Sequence, residues 1–190
     1  MKKIIAGAIT ILLCFSLAAC KNEEKKDQTD TAAKTYDVEV TVPTVLVGDD
    51  QIDAMIADAE KSGNSEVVRN GSDSVTFKLS QEEYDALMGA ITDSAKETVA
   101  GYIDNDDAPG IVDVSYADDF SSLEISVHAD QATEDTSVAV LNMAYQAMYV
   151  QCFSGVKSTD LDIHVVLKDA QTGAEIMSRH YPKDLAQKSE

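Results

Sequence analysis

From residue 36 onward, apolar and polar positions follow one another in a repeating order of predicted elements. Residues 36–42 alternate with the two-residue period of a half-buried strand, which Pro43 ends. The apolar positions of this strand are Tyr36, Val38, Val40 and Val42. Three rounds follow, and each predicts a helix and then two strands. The rounds share the order of their elements but no convincing sequence identity.

The first round predicts a helix capped by Asp50, followed by strands over residues 65–70 and 72–79. Asn70-Gly71 between the two strands is typical of a tight hairpin, because both residues tolerate a positive φ. Four apolar side chains lie on one face of the predicted helix: Ile52, Met55, Ile56 and Ala59. In the second strand, Val75, Phe77 and Leu79 point to the same side.

The second round opens with a capping box, in which Ser80 and Glu83 satisfy each other's free backbone donors. The helix is predicted to run to about residue 103, and residues 104–110 to form a loop. Its apolar stripe consists of Tyr84, Leu87, Met88, Ile91, Ala95, Val99 and Tyr102. The inward positions of the two following strands are predicted to be Val112, Val114 and Tyr116, then Leu123, Ile125 and Val127.

The third round predicts a helix capped by Thr133 or Asp135 and ended by Gly155. Its apolar stripe is predicted at Val138, Leu141, Tyr145, Met148 and Cys152, spaced three and four residues apart. Residues 161–168 and 174–181 then predict the last hairpin. Together the three units predict an α+β fold, with a mostly antiparallel sheet and the helices packed on one of its faces.

The first twenty residues have the composition of an export signal. Lys2 and Lys3 precede an apolar run over residues 4–19, which ends in Leu17-Ala18-Ala19-Cys20. This run is shorter than the about 20 residues that span a bilayer core, so a transmembrane helix is the weaker interpretation. A cysteine directly after Leu-Ala-Ala is a lipobox, and the chain therefore resembles a bacterial lipoprotein precursor.

The resemblance implies cleavage before Cys20 and a diacylglycerol on its sulfur. It predicts a signal peptide over residues 1–19 and a flexible polar tether over residues 20–35. Residues 36–190 then form one domain on the extracytoplasmic side of the cell membrane. Two acyl chains or more make a stable anchor, whereas one binds only marginally.

A second resemblance covers the layout of the mature chain. Val40-Thr41-Val42-Pro43, the run Asn70-Gly71-Ser72-Asp73-Ser74-Val75-Thr76-Phe77 and the capped helix after it are similar to small uncharacterised lipoproteins of Gram-positive bacteria. Some of these are grouped with antigen I/II N-terminal-type surface proteins. The resemblance implies a surface location and assigns no chemistry, and the sequence leaves the type of envelope open.

Negative charge is concentrated in residues 36–190 and limits the kinds of partner that the domain can bind. Residues 36–190 carry nine basic and thirty acidic side chains, a net charge of −21. Such a domain repels nucleic acid, so no DNA or RNA partner is predicted. A basic partner or divalent cations remain compatible with it.

The cysteines predict a fold without an intrachain disulfide. Cys14 leaves with the signal peptide and Cys20 carries lipid, so Cys152 is the remaining thiol. Its position on an apolar stripe, with no neighbouring His or Lys in sequence, indicates a buried small side chain rather than a nucleophile.

The sequence offers one candidate for a metal or catalytic site, formed by Asp162, His164 and His180. If the last turn centres on Gln171, the three side chains share a sheet face within reach of a metal ion such as zinc. A slip of one residue would separate them. No clustered ligand spacing supports the site, and solvated strand histidines are the favoured interpretation, so no metal or other cofactor is predicted beyond the lipid anchor.

The other candidate sites lack the residue types or spacing that the known motifs require. Asp104-Asn105-Asp106-Asp107 is similar to the start of a calcium loop, but Ala108 and Pro109 occupy the positions of an oxygen ligand and the turn glycine. The motifs of serine hydrolases, zinc proteases, phosphate-binding loops and dithiol redox enzymes do not occur. The sequence therefore favours a binding or interaction module at the cell envelope over an enzyme. The alternatives are an envelope hydrolase or metal-dependent enzyme with a His/Asp site, and a small-ligand carrier.

Overall fold

The structure, a computed structural model, describes residues 36–62 and 65–188. The predicted signal peptide (residues 1–19) and tether (residues 20–35) lie outside the described residues. The elements, in chain order, are β1 Val38–Pro43, α1 Thr44–Val47, α2 Asp49–Ser62, β2 Glu66–Asn70, β3 Ser74–Leu79, α3 Gln81–Gly101, β4 Ile111–Tyr116, β5 Ser122–Val127, α4 Glu134–Phe153, β6 Ile163–Asp169, β7 Glu175–Tyr181 and a 3₁₀ helix Lys183–Lys188.

The strands form two sheets, and the predicted α+β class is confirmed. The three-stranded sheet has the order β1-β3-β2 and is antiparallel. The four-stranded sheet has the order β4-β5-β6-β7, with β5 and β6 parallel and the other pairs antiparallel. The sequence predicts one sheet, but α3 carries the chain from the first sheet to the second. The parallel pair then needs a long crossover connection, which α4 supplies.

The three-stranded sheet has an apolar inner face. Val75, Phe77 and Leu79 of β3 are buried, as predicted. Asn70 pairs with Ser74, so the hairpin loop spans residues 71–73 and the second strand begins later than the predicted residue 72. Gly71 has φ +65°, a conformation that favours glycine over residues with a Cβ atom.

The capping box at the start of α3 is confirmed. The Ser80 side chain accepts a hydrogen bond from the Glu83 backbone N–H, while the Glu83 carboxylate accepts one from the Ser80 backbone. The buried face of α3 consists of Leu87, Ile91, Ala95 and Val99, four members of the predicted stripe.

The predicted stripe on α4 is only partly buried. Val138 is 51% exposed and Tyr145 40% exposed, so this part of the prediction is wrong. Thirteen of the 20 residues of α4 are buried, among them Ala139, Val140, Met143, Ala144 and Ala147 on the side opposite Val138. The helix contacts α3, β1 of the first sheet, and β5 and β6 of the second. A helix held between several elements is apolar on most of its circumference, so the strongest single stripe does not identify its buried face.

A β-bulge changes which residues of β4 point inward. The register between β4 and β5 shifts between Ile111 and Asp113, so Ile111 is buried where the alternation predicts Val112, which is half-buried. An extra residue in one strand reverses the alternation on one side of the bulge. The inward positions predicted for β5 (Leu123, Ile125 and Val127) are all buried.

Candidate functional site

The two faces of the four-stranded sheet differ in composition. On one face, Leu123, Ile125, Ile163 and Val165 are buried, and α4 packs on β5 and β6. The registers place a second set of residues side by side on the other face. We call this the open face. It comprises Asp113, Ser115, Ser122, Glu124, Ser126, His164, Val166, Lys168, Ser178 and His180, all of them exposed or half-buried.

One ion pair bridges the middle of the open face. The Nζ atom of Lys168 on β6 lies 2.6 Å from Oε2 of Glu124 on β5, and the two side chains are 35% and 49% exposed. A pair so accessible to water contributes at most about 1 kcal/mol to stability, because solvent screens the attraction. It orders the two side chains at the centre of the face rather than holding the sheet together.

The sequence candidates Asp162, His164 and His180 come together at one corner of the open face. His164 lies directly opposite His180 in the β6–β7 register. Their rings are stacked, with centroids 4.5 Å apart and an interplanar angle of 11°. Nδ1 of His180 lies 2.8 Å from Oδ1 of Asp162. The three residues therefore lie close together, although the β6–β7 register is centred on Thr172 rather than on Gln171.

Three further side chains complete this corner. Nζ of Lys183 donates to Oδ2 of Asp162 at 3.0 Å, and the hydrogen bonds from Lys183 and then His180 hold the pKa of Asp162 below its ordinary value. Nε2 of His164 lies 2.9 Å from Oγ of Ser178. The backbone N–H of His180 donates to Oδ2 of Asp184 at 2.7 Å. We call the six residues the histidine corner.

The histidine corner is open to water. The side chains of His180 and Asp162 are 48% and 41% exposed. The contacts Asp162–His180 and His164–Ser178 are the kind that serve acid–base chemistry, but catalytic electrostatics rely on a site from which water is excluded. Among residues 36–62 and 65–188, no group of three or more His, Cys, Asp or Glu residues is arranged to hold a metal ion.

The loop at residues 104–110 is organised by its own hydrogen bonds. The backbone N–H of Asp107 donates to Oδ1 of Asn105 at 2.8 Å, and Nδ2 of Asn105 donates to the carbonyl of Gly101 at 2.6 Å. Thr136 at the start of α4 donates to the carbonyl of Pro109 at 2.7 Å. Asn105 thus uses both ends of its amide to shape the turn, a structural role that the sequence comparison with a calcium loop does not predict.

This loop belongs to a long segment without basic side chains. Residues 97–156 contain eleven acidic side chains and no Lys or Arg. Residues 157–190, which include the histidine corner, carry five basic and six acidic side chains. The excess of negative charge therefore precedes β6 and β7 in the sequence. A count of basic residues along the chain reveals this asymmetry, but a count over the whole domain conceals it.

Cys152 is buried within α4, as predicted. Burial raises the pKa of its thiol to about 11, because the thiolate would lose its hydration. The thiol therefore stays protonated and unreactive at neutral pH. It is a part of the core rather than of a site.

Comparisons with protein-family models, with curated proteins and with solved structures find no match for this chain. Within the part of the chain that the structure describes, no helix combines the length and the apolar content that crossing a membrane requires.

Proposed function

We propose that this chain is a lipid-anchored, extracytoplasmic binding module that recognises a basic protein partner through the open face of its four-stranded sheet. The observation that carries the proposal is the contrast between the two faces of this sheet. One face is apolar and covered by α4, while the other presents serines, histidines and charged side chains to solvent. A rigid sheet with one free polar face provides fixed positions for recognition.

Exposure favours binding over catalysis at the histidine corner. About half of the His180 side chain is in contact with water, as is a similar share of Asp162. Charges that develop in a transition state would be screened there, so the site gives little stabilisation to a reaction. The same exposure suits groups that exchange water for the polar atoms of a partner.

Charge indicates the chemistry of the partner. Asp113 and Glu124 lie on the β4–β5 half of the open face and belong to the segment of residues 97–156 that lacks Lys and Arg. A protein surface rich in Lys and Arg is attracted to such a region and is steered toward it. A second copy of this chain, which carries the same net charge, is repelled.

The lipid anchor supports the extracytoplasmic role. The lipobox at Leu17-Ala18-Ala19-Cys20 supplies the acylation site, and residues 21–35 supply a polar connection to the domain. A Cys20→Ala variant tests this part separately. We expect metabolic labelling with a radioactive fatty acid to be lost and the protein to leave the membrane fraction. Retained labelling would contradict the anchor.

The open face is tested by photocrosslinking in intact cells. A photoreactive amino acid at Ser126 on the open face should give a defined adduct with one partner protein. The matched control carries the same amino acid at Asp93 on the exposed side of α3. We expect no such adduct from the control position.

Charge reversals then test the chemistry of the contact. Glu124→Arg and Asp93→Arg change the net charge equally, but only Glu124 lies on the open face. The yield of the adduct at Ser126 should fall at least several-fold with Glu124→Arg and stay unchanged with Asp93→Arg. Equal loss from both variants would indicate capture by overall charge. No adduct from Ser126 in the parent chain would contradict the proposed surface.

A further inference from the structure

The histidine corner has a geometry that points to a ligand. His164 and His180 face each other across the β6–β7 pair, and their stacked rings lie 4.5 Å apart. Two imidazole nitrogens bound to one transition-metal ion at about 2.0–2.1 Å each lie within about 4 Å of one another. Both side chains reach solvent, so the parallel rings have room to tilt toward a common ion.

Hydrogen bonds leave one nitrogen of each ring available. Nδ1 of His180 bonds to Oδ1 of Asp162, so its Nε2 carries the lone pair when Nδ1 donates. Nε2 of His164 bonds to Oγ of Ser178, and donation from Nε2 leaves the lone pair on Nδ1. Metal-binding histidines commonly donate their second ring N–H to a carboxylate, which fixes the tautomer and orients the ring.

We propose that His164 and His180 together bind one divalent transition-metal ion, with Asp162 as the positioning residue for His180. Lys183 holds the other oxygen of Asp162 at 3.0 Å and so keeps the carboxylate oriented. Two protein ligands leave the remaining coordination positions to water or to a ligand from a bound partner. This inference is independent of the partner proposed above.

Ligand type determines which ions bind. Imidazole nitrogen favours Cu²⁺, Ni²⁺ and Zn²⁺, whereas Mg²⁺ and Ca²⁺ prefer oxygen ligands. The acidic surface of this domain attracts any divalent cation without selectivity. Preference for a transition-metal ion over Mg²⁺ therefore distinguishes binding at the two histidines from general attraction to the acidic surface.

The experiment uses the full chain in detergent, without a polyhistidine tag and with Cys14→Ser and Cys20→Ser, because free thiols bind the same ions. Titration with NiCl₂ is followed by calorimetry and by the NMR signals of the histidine rings. We expect one Ni²⁺ per chain, with broadening of the His164 and His180 signals but not of His128. An excess of MgCl₂ should leave this binding unchanged.

Variants assign the ligands. His164→Asn and His180→Asn should each weaken Ni²⁺ binding at least 10-fold. Asp162→Asn should weaken it by about 10-fold, the range for residues that orient a metal ligand. His128→Asn is the matched control and should keep the affinity of the parent chain. Circular dichroism checks that each variant is folded, as the exposure of the two histidines leads us to expect.

Two results would overturn the proposal. One is Ni²⁺ affinity in the His164→Asn/His180→Asn double variant equal to that of the parent. The other is displacement of Ni²⁺ by an equal concentration of Mg²⁺, which would show that the acidic surface alone attracts the ion.

Discussion

Cys152 illustrates how burial suppresses a reactive side chain. The Cys152 side chain on α4 is buried in the core, and this burial raises the pKa of its thiol to about 11. We expect a thiol reagent to modify Cys152 at pH 8 only after the protein is unfolded in urea. Modification of the native protein at the rate of the unfolded protein would contradict this burial.

The raised pKa of Cys152 also predicts a pH dependence of stability. The unfolded thiol ionises near its ordinary pKa of 9.0, while the folded thiol ionises at about 11. The contribution to folding is therefore complete below pH 9 and is lost as the pH rises to 11, by about 2–3 kcal/mol. Urea unfolding of the parent and of Cys152→Ala from pH 8 to 11 measures it. The variant should lose less stability over this range, and parallel curves would contradict the prediction.

The histidine corner could be predicted to the level of proximity and no further. A turn centred on Gln171 would place His164 opposite Ser178, whereas the observed register is centred on Thr172 and places it opposite His180. Both registers keep the same residues on one face, because a shift of one residue in the centre of the turn moves the pairing by two residues. The hydrogen bonds that involve Ser178 and Lys183 depend on side-chain conformations, which the two-residue period of a strand does not specify. The shared face of His164 and His180 is therefore predictable from the sequence, whereas their direct pairing and the supporting contacts of Ser178 and Lys183 are not.

At the scale of elements, α4 and β4 show where periodicity is insufficient. The sequence of α4 offers apolar residues on most of its circumference, and the choice of the buried side depends on which sheets surround it. In β4, the bulge between Ile111 and Asp113 reverses the alternation. By contrast, the capping box at Ser80 depends on residues three apart, so the start of α3 was predictable from sequence alone.

A pair of substitutions on α4 tests its buried side. Ala147 is fully buried, and Val138 is 51% exposed although the periodicity predicts it in the core. Ala147→Leu should lower the free energy of unfolding by about 1–3 kcal/mol, because the added carbons have no space in the core. Val138→Ser should change it by less than about 0.5 kcal/mol, as is usual for exposed positions. Urea unfolding measures both changes, and a larger loss from Val138→Ser would reverse the assignment of the buried face.

At the scale of the whole molecule, the number of sheets could not be predicted from the sequence. Three units of helix and two strands are compatible with one sheet, and local patterns do not show that β3 and β4 belong to different sheets. The parallel pairing of β5 with β6 is a contact between strands separated by α4, which no local signal encodes. Net charge, in contrast, follows directly from composition, and its effect on stability belongs to the whole domain.

Charge repulsion within the domain predicts that salt stabilises it. Residues 36–156 carry four basic and twenty-four acidic side chains, so like charges lie close together in the folded state. Raising NaCl from about 0.01 to 0.1 M shortens the screening length from about 30 to 10 Å and weakens this repulsion. We expect the free energy of urea unfolding to rise over this range. The rise should be smaller in a variant with Asp106→Asn, Asp107→Asn and Asp130→Asn, three exposed positions in the segment that lacks basic residues. Stability that falls with salt in the parent chain would mean that attractive ion pairs, such as Lys168 with Glu124, outweigh the repulsion.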